Sequence, residues 1–192
     1  DRRRSTFVAA GAAAGIAAIF NAPLAGVFFA LDVILRSFTA RGFSKVVISA
    51  VAANAVWRVL VGDESVLTAE VHQLIHPSEL VLYAVLGIVA AIVAVGFVRL
   101  LYFVEDQFDA LPVLADLRPA IGAITVGLFG AISFDLLGSG LAGIDKALAG
   151  EFAFRLLLFL VVGKMLATAL TLGSGGSGGI FSPSLFIGAL LG

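Results

Sequence analysis

The amino-acid sequence predicts an all-α, polytopic membrane protein, and three observations carry this prediction. Of the 192 residues, 60% are hydrophobic and 13% are charged, with a mean hydropathy of +1.11, whereas soluble domains carry about a quarter charged residues. Two charge-free runs, residues 5–31 and 165–192, exceed the roughly 20 residues that a spanning helix needs. Short apolar segments broken by proline or glycine predict broken and re-entrant helices, which survive in a membrane only when buried in protein.

The charge pattern points to no partner beyond the membrane lipid. A net charge of −1 gives no basis for binding nucleic acid. The basic run Arg2-Arg3-Arg4 marks either a cytoplasmic end, under the positive-inside bias, or simply a solvated end. The sequence begins at Asp1 without a signal-peptide pattern, so we expect it to be the middle of a longer protein.

Metal and redox chemistry has little support in the sequence. There is no cysteine, which rules out disulfides and thiolate metal sites. His72 and His76 have the i, i+4 spacing that can place two imidazoles on one helix face, but their neighbours are typical of a loop. We interpret them as solvated histidines and expect neither a metal nor another cofactor.

The first apolar region divides at a polar tripeptide. Residues 6–20 predict an Ala/Gly-rich helix whose small residues allow another helix to approach closely. Asn21-Ala22-Pro23 then interrupts it; Asn21 suits the cap of a new helix, with Pro23 in its first turn. Residues 24–35 follow and are too short to span a membrane. A single proline-kinked helix is the alternative that the residues alone leave open.

The middle of the chain alternates apolar runs with polar or glycine-rich connections. A polar connection over residues 36–45 precedes the next helix, and a loop occupies residues 65–78. The further helical segments predicted are residues 46–61, residues 78–109 with an apolar part over 80–98, residues 120–137, residues 141–150 as a short helix or loop, and residues 152–172. Several of these pieces are too short to cross a membrane alone.

The last segment combines a glycine-rich break with a helix start. Five glycines and two serines occupy residues 173–179, and a helix is predicted to begin near Ile180, with Pro183 in its first turn. The first amides of a helix have no partner within it and lie at the positive end of the helix dipole. Such an end binds anions without placing a full charge in the membrane. The alternative is that the glycines only permit tight helix packing.

Two other functions are candidates for the same glycine-rich segment. Ser174 or Ser177 among glycines is compatible with the nucleophile of an intramembrane serine protease, but that chemistry needs a general base within reach, and Lys164 is the one base inside an apolar run near it. A phosphate-binding loop would end in Gly-Lys-Ser/Thr, which this segment lacks. We disfavour the first and discard the second.

Two sequence blocks resemble motifs of the CLC family of voltage-gated chloride channels and chloride/proton antiporters. Residues 179–183, Gly-Ile-Phe-Ser-Pro, are similar to the family's G-x-F-x-P motif. Residues 11–26, GAAAGIAAIFNAPLAG, resemble its long GAAAGLAAAFNAPLAG run. The two blocks have the order and approximate separation that the family shows, so the resemblance extends over essentially the whole chain.

The resemblance implies an architecture and a site. It implies two inverted halves in one membrane domain over residues 1–192, with residues 1–62 ending the first half and residues 78–192 beginning the second. It also implies a prokaryotic homodimer in the plasma (inner) membrane, with residues 46–61 at the dimer contact, and a transport protein rather than an enzyme. The residues implied in chloride binding are Gly178, Gly179, Ile180, Phe181 and Pro183.

The mechanism that the resemblance implies depends on one position. In family exchangers, a glutamate that receives protons from the cytoplasm follows the N-A-P-L-A-G block, and counting from Asn21 places it at Val33, next to Asp32. Valine cannot carry a proton, so we expect a passive channel, or an exchanger with weak coupling, rather than a fully coupled antiporter. Asp32 is the candidate substitute for the glutamate, but one residue along an α-helix turns the side chain by about 100° and moves it about 1.5 Å, so that it would face a different neighbour. Lys164 either raises the positive potential along the anion route or reaches a membrane surface. Two further family loops would lie before Asp1, so we expect no conduction by this chain alone.

Overall fold

The structure is a computed structural model that describes residues 2–36, 39–62 and 76–192. Within these ranges the chain forms α-helices, short 3₁₀ turns and one π-helical segment, and no β-strand, which confirms the all-α prediction. The chain divides into two compact units, residues 1–68 and 69–192, and each is described by itself. Whether this division corresponds to two inverted halves stays a prediction.

The described residues of the first unit form three helices around a core of small residues. They are α1 (Arg2–Phe20), α2 (Pro23–Phe29), which continues as a π-helix over Ala30–Leu35, and α3 (Ala40–Leu60). Ala9, Ala13 and Ala17 recur every four residues and are fully buried on one face of α1, where they form a common core with residues of the other two helices. Ser49 of α3 donates a hydrogen bond to the Ala10 carbonyl at 3.0 Å.

The prediction of two helices around Asn21-Ala22-Pro23 is confirmed, but the role expected for Asn21 is wrong. Asn21 adopts a left-handed conformation with φ of 49°, and the Ala22 amide donates to the Ala17 carbonyl at 3.2 Å. This arrangement ends α1, since a left-handed residue followed by a bond across six residues closes many helices. The residue preceding α2 is Ala22, without a side-chain cap, and Pro23 occupies the first turn as expected.

In the second unit, the described residues 76–192 form five helices connected by short turns. They are α4 (Glu79–Asp109), α5 (Arg118–Ile132), α6 (Leu141–Leu148), α7 (Phe154–Gly173) and α8 (Phe181–Leu191). A 3₁₀ turn, Ala115–Leu117, precedes α5, and another, Phe134–Leu136, follows it. The predicted loop over residues 65–78 falls largely on residues outside the described ranges, His72 among them.

α7 is the central helix of the second unit, and two close approaches fix its neighbours. A Cβ added to Gly173, at its end, would lie 2.9 Å from the Glu105 backbone nitrogen of α4. A Cβ added to Gly122 of α5 would overlap the Ser174 side chain. These glycines therefore allow α4 and α5 to pack against the last turn of α7, which carries the segment leading to α8.

The lengths of the helices fit an integral membrane protein. Four helical stretches in the described part of the chain are long and apolar enough to cross a membrane: Gly42–Leu60, Glu79–Asp109, Ala115–Ile132 and Phe154–Gly173. Three apolar stretches are shorter: Arg4–Phe20 of α1, Pro23–Leu35 and Phe181–Leu191. The first spanning stretch belongs to α3. This helix begins six residues before the predicted residue 46, because it includes residues 40–45, whose Arg41, Ser44 and Lys45 had indicated a polar connection.

Candidate anion site at the start of α8

The end of α7 determines how the chain enters the candidate site. Gly175 has φ of +83°, and the Gly176 amide donates to the Thr171 carbonyl at 2.9 Å, which is the same left-handed helix ending as that of α1. A Cβ on Gly176 would lie 2.7 Å from the Thr171 oxygen. The turn itself therefore requires glycine at residues 175 and 176. It does not account for the glycines at residues 178 and 179.

Four of the five residues predicted to bind an anion form one exposed turn that leads into α8, whereas Pro183 is buried within the helix. Gly178, Gly179, Ile180 and Phe181 are all exposed. Ile180 immediately precedes the helix, supplies no side-chain cap, and its carbonyl accepts the Ser184 amide at 3.0 Å. No acidic residue lies in the first turn, so no carboxylate there opposes the positive end of the helix dipole.

The two remaining glycines differ in their surroundings. A Cβ on Gly178 would lie 3.2 Å from the Thr171 side chain and 3.3 Å from that of Leu172, so Gly178 packs closely on the end of α7. A Cβ on Gly179 would have no neighbour within 4 Å. Gly178 therefore positions the turn, and Gly179 leaves space open beside the amides of α8.

One face of α8 is anchored in the second unit. Pro183, Phe186, Ile187 and Leu190 are buried, and their spacing is that of a single helix face. The Phe186 ring contacts the segment that begins α6, because a Cβ on Gly143 would lie 2.5 Å from it. The anchored face holds the helix while its first turn stays exposed.

Lys164, the charged residue inside α7, lies in the protein interior. Its side chain is only 1% exposed, and Nζ donates to the carbonyls of Leu136, Leu137 and Gly138 at 3.2, 3.4 and 2.9 Å. The ammonium also faces the Phe186 ring, 5.2 Å from its centroid. Burial of a charge is costly unless it is paired or hydrogen-bonded, and these carbonyls meet that need. The side chain does not reach a surface of this unit.

A comparison with known proteins identifies the family. A family model described as voltage gated chloride channel matches residues 1–192, the whole chain. The chain belongs to the CLC family. The H(+)/Cl(-) exchange transporter ClcA of Vibrio parahaemolyticus is 36% identical over 198 residues, covering 100% of this chain and 42% of that protein.

Two further relatives agree with this assignment. ClcA of Vibrio cholerae is 37% identical over 98% of this chain and 42% of its own length. The chloride channel protein CLC-f of Arabidopsis thaliana is 35% identical over 99% of this chain and 26% of its own length. The chain thus spans less than half of these relatives. Family membership confirms the predictions of an integral membrane protein and of a protein that is not an enzyme, since the matched relatives are named as exchange transporters or as a chloride channel protein.

The structure brings only some of the predicted CLC site residues together. Gly178 to Phe181 are consecutive, and Pro183 and Lys164 lie in the same unit. Asp32 and Val33 lie in the first unit, both exposed, on the π-helical segment Ala30–Leu35. The sequence did not indicate the carbonyls around Lys164. The available signals were a lysine within an apolar run and the Gly138-Ser139-Gly140 break, which begins 26 residues earlier.

The geometry around Ser174 gives no support to the protease alternative. Ser174 is 3% exposed, and its hydroxyl donates to the Thr171 carbonyl at 3.0 Å. Lys164, the base considered for it, directs its ammonium to the carbonyls of residues 136–138. A nucleophile needs a base within hydrogen-bond reach, and neither contact provides one.

Proposed function

We propose that this chain is the central part of a CLC protein that moves chloride across the plasma or inner membrane, and that chloride binds at the start of α8. The observation that carries the proposal is the exposed, uncharged turn at Gly178–Phe181, which leads into a helix with no acidic residue in its first turn. The positive end of the helix dipole favours an anion there. The match of the whole chain to the family model supports the same conclusion.

Proton-coupled exchange is the mechanism that we propose for the complete protein. It is supported by the relatives at 36–37% identity, which are named H(+)/Cl(-) exchange transporters. Asp32 lies next to Val33 on the π-helical segment and is exposed there. Its carboxylate is therefore available to carry protons in place of the glutamate, because this chain has a valine at the position of that glutamate. This proposal replaces the channel expected from Val33 alone.

A passive channel is the second candidate, because one observation favours it. Val33 is 51% exposed at the position where family exchangers carry the proton-receiving glutamate, and valine cannot bind a proton. The relative CLC-f is named a chloride channel protein. The two candidates differ in whether chloride flux drives protons.

The deciding experiment uses the full-length protein in liposomes, with a chloride gradient imposed at zero membrane potential. Sustained uphill proton movement at a fixed stoichiometry supports exchange, whereas chloride flux without proton movement supports the channel. Asp32→Asn should reduce the proton flux per chloride if Asp32 is the carrier, and Asp145→Asn, an exposed acid on α6, is the matched control. If no chloride flux of any kind occurs, the proposed function is wrong.

Val33→Glu is the opposite test, because it adds an acid next to Asp32 instead of removing one. In a protein that passes chloride without protons, this substitution should create measurable proton movement if the side chain at residue 33 is all that coupling lacks. In a protein that already exchanges through Asp32, the proton stoichiometry should change little. The measurement is the ratio of proton to chloride flux in the same liposomes.

A further inference from the structure

We propose that Lys164 is a positioning residue for the anion site, because its ammonium fixes the backbone of residues 136–139, against which the first turns of α8 are held. This inference rests on the proposed function of the α8 start. It assigns Lys164 a local role through hydrogen bonds, distinct from a general contribution of positive charge to the anion route.

The first step is the match between the ammonium and its acceptors. A lysine ammonium has three N–H donors and no acceptor. Nζ lies within 3.4 Å of three consecutive carbonyls, those of Leu136, Leu137 and Gly138. The first of these carbonyls belongs to the last residue of the 3₁₀ turn Phe134–Leu136, and the other two belong to the residues that follow it. At such a helix end, the last carbonyls have no hydrogen-bond partner within the helix. The ammonium therefore shapes this backbone as well as neutralising its acceptors.

The second step is the connection from this segment to α8. Ser182, in the first turn of α8, donates through its hydroxyl to the Ser139 carbonyl at 2.8 Å. Phe186, about one turn further along, is fully buried with its ring facing the Lys164 ammonium. Residues 136–139 are thus held by α7 on one side and contact the first turn of α8 on the other.

The third step is the tight packing of residues 138–140 against Phe186 and Lys164. Gly138 and Gly140 have φ of +61° and +77°, so the chain turns sharply on both sides of Ser139. A Cβ on Gly140 would lie 3.1 Å from the Phe186 ring and 3.3 Å from Nζ of Lys164. Because tightly packed groups transmit small displacements, a change at Lys164 is expected to move the turn of α8 that carries the anion site.

A neighbouring lysine separates positioning from general electrostatics. Lys146 on α6 lies 3.5 Å from Asp135, and its side chain is 47% exposed. Its removal also deletes one positive charge from this part of the unit, but it contacts none of the carbonyls at residues 136–138 that Lys164 binds. Lys146→Met is therefore the matched control for Lys164→Met.

The test measures chloride binding and anion preference of the purified full-length protein by titration calorimetry with chloride and with nitrate. Lys164→Met should weaken chloride binding about tenfold, because small misplacements of binding groups have large effects, and should change the ratio of chloride to nitrate affinity. Lys164→Arg, which keeps the charge and several donors, should recover part of the loss. Lys146→Met should stay within about twofold of the unmodified protein.

A double-mutant cycle with Ser182→Ala adds a readout that loss of stability alone would not produce. If both side chains act through residues 136–139, the effects of Lys164→Met and Ser182→Ala on chloride affinity should be non-additive. Additive effects would overturn the proposal. If Lys164→Met does not fold, Lys164→Arg and Ser182→Ala complete the same cycle.

The outcomes separate this inference from the function on which it rests. If the unmodified protein binds no chloride, the proposed function fails. If the unmodified protein binds chloride, and Lys164→Met binds it equally well with the same anion preference, only the positioning role is wrong. Equal losses in Lys164→Met and Lys146→Met would overturn positioning in favour of general electrostatics.

Discussion

Gly15 and Gly26, both within the block at residues 11–26 that resembles a CLC motif, have opposite surroundings. A Cβ on Gly26 would overlap the Ala13 carbonyl oxygen, whereas a Cβ on Gly15 would have no neighbour within 4 Å. Gly26→Ala should therefore lower the free energy of unfolding by about 1–3 kcal/mol through overpacking. Gly15→Ala in a helix interior should have little effect or stabilise slightly. Thermal unfolding of both variants in detergent tests this, and equal melting temperatures would contradict it.

Gly179 permits a clean test of the anion site at the level of one residue. Because the space around it is open, Gly179→Val should fold normally and yet place two methyl groups beside the amides of α8. We expect chloride affinity of the full-length protein to fall about tenfold or more, as the ion loses close approach to the backbone. Gly87→Val, at an equally open position on α4, should leave the affinity unchanged; equal effects of the two changes would argue against the site.

The sequence could predict which residues are unusual but not what they contact. Lys164 stood out as a charge in an apolar run, and its burial shows why surface exposure was the wrong alternative for this unit. Its three carbonyl partners come from residues 26–28 positions away, and no periodicity encodes such a contact. Asn21 was assigned to the wrong helix because an asparagine can begin one helix or end another, and only its left-handed conformation decides.

The end of α7 is an element whose geometry depends on one glycine. Gly175 has φ of +83°, a conformation that costs an ordinary residue about 1–2 kcal/mol. Gly175→Ala should reduce the stability of the full-length protein by about that amount, and Gly175→Asn should lose less, since asparagine tolerates this conformation. The measurement is thermal unfolding in detergent, and a fully stable Gly175→Ala variant would be inconsistent with this helix ending.

Helix existence was predictable, whereas helix form and boundaries were less so. Apolar length indicated α4 and α7, and the glycine-to-proline pattern placed the start of α8 within one residue. The π-helical segment Ala30–Leu35, which packs against α1, was not foreseen, because its residue types do not separate a π-helical turn from an α-helical one. Its wider turn alters how Asp32 and Val33 are presented, so arguments from ideal α-helical rotation do not apply there.

At the scale of the whole molecule, we predict a homodimer, which the family resemblance implies and the present chain does not test. α3 (Ala40–Leu60) would contribute to the dimer contact, and its exposed apolar residues, among them Ile48, Val59 and Leu60, are available to pack against a partner or lipid. The full-length protein in mild detergent should have the mass of two chains by light scattering. A fully active monomer would contradict this prediction.

The central claim is that an anion binds the backbone at the start of α8, and anomalous scattering tests it most directly. Crystals of the full-length protein grown or soaked in bromide should show an anomalous peak beside the amides of Ile180 and Phe181. The same peak should weaken in Gly179→Val and persist in Gly87→Val. A well-ordered α8 without any bromide peak at high bromide concentration would contradict the account.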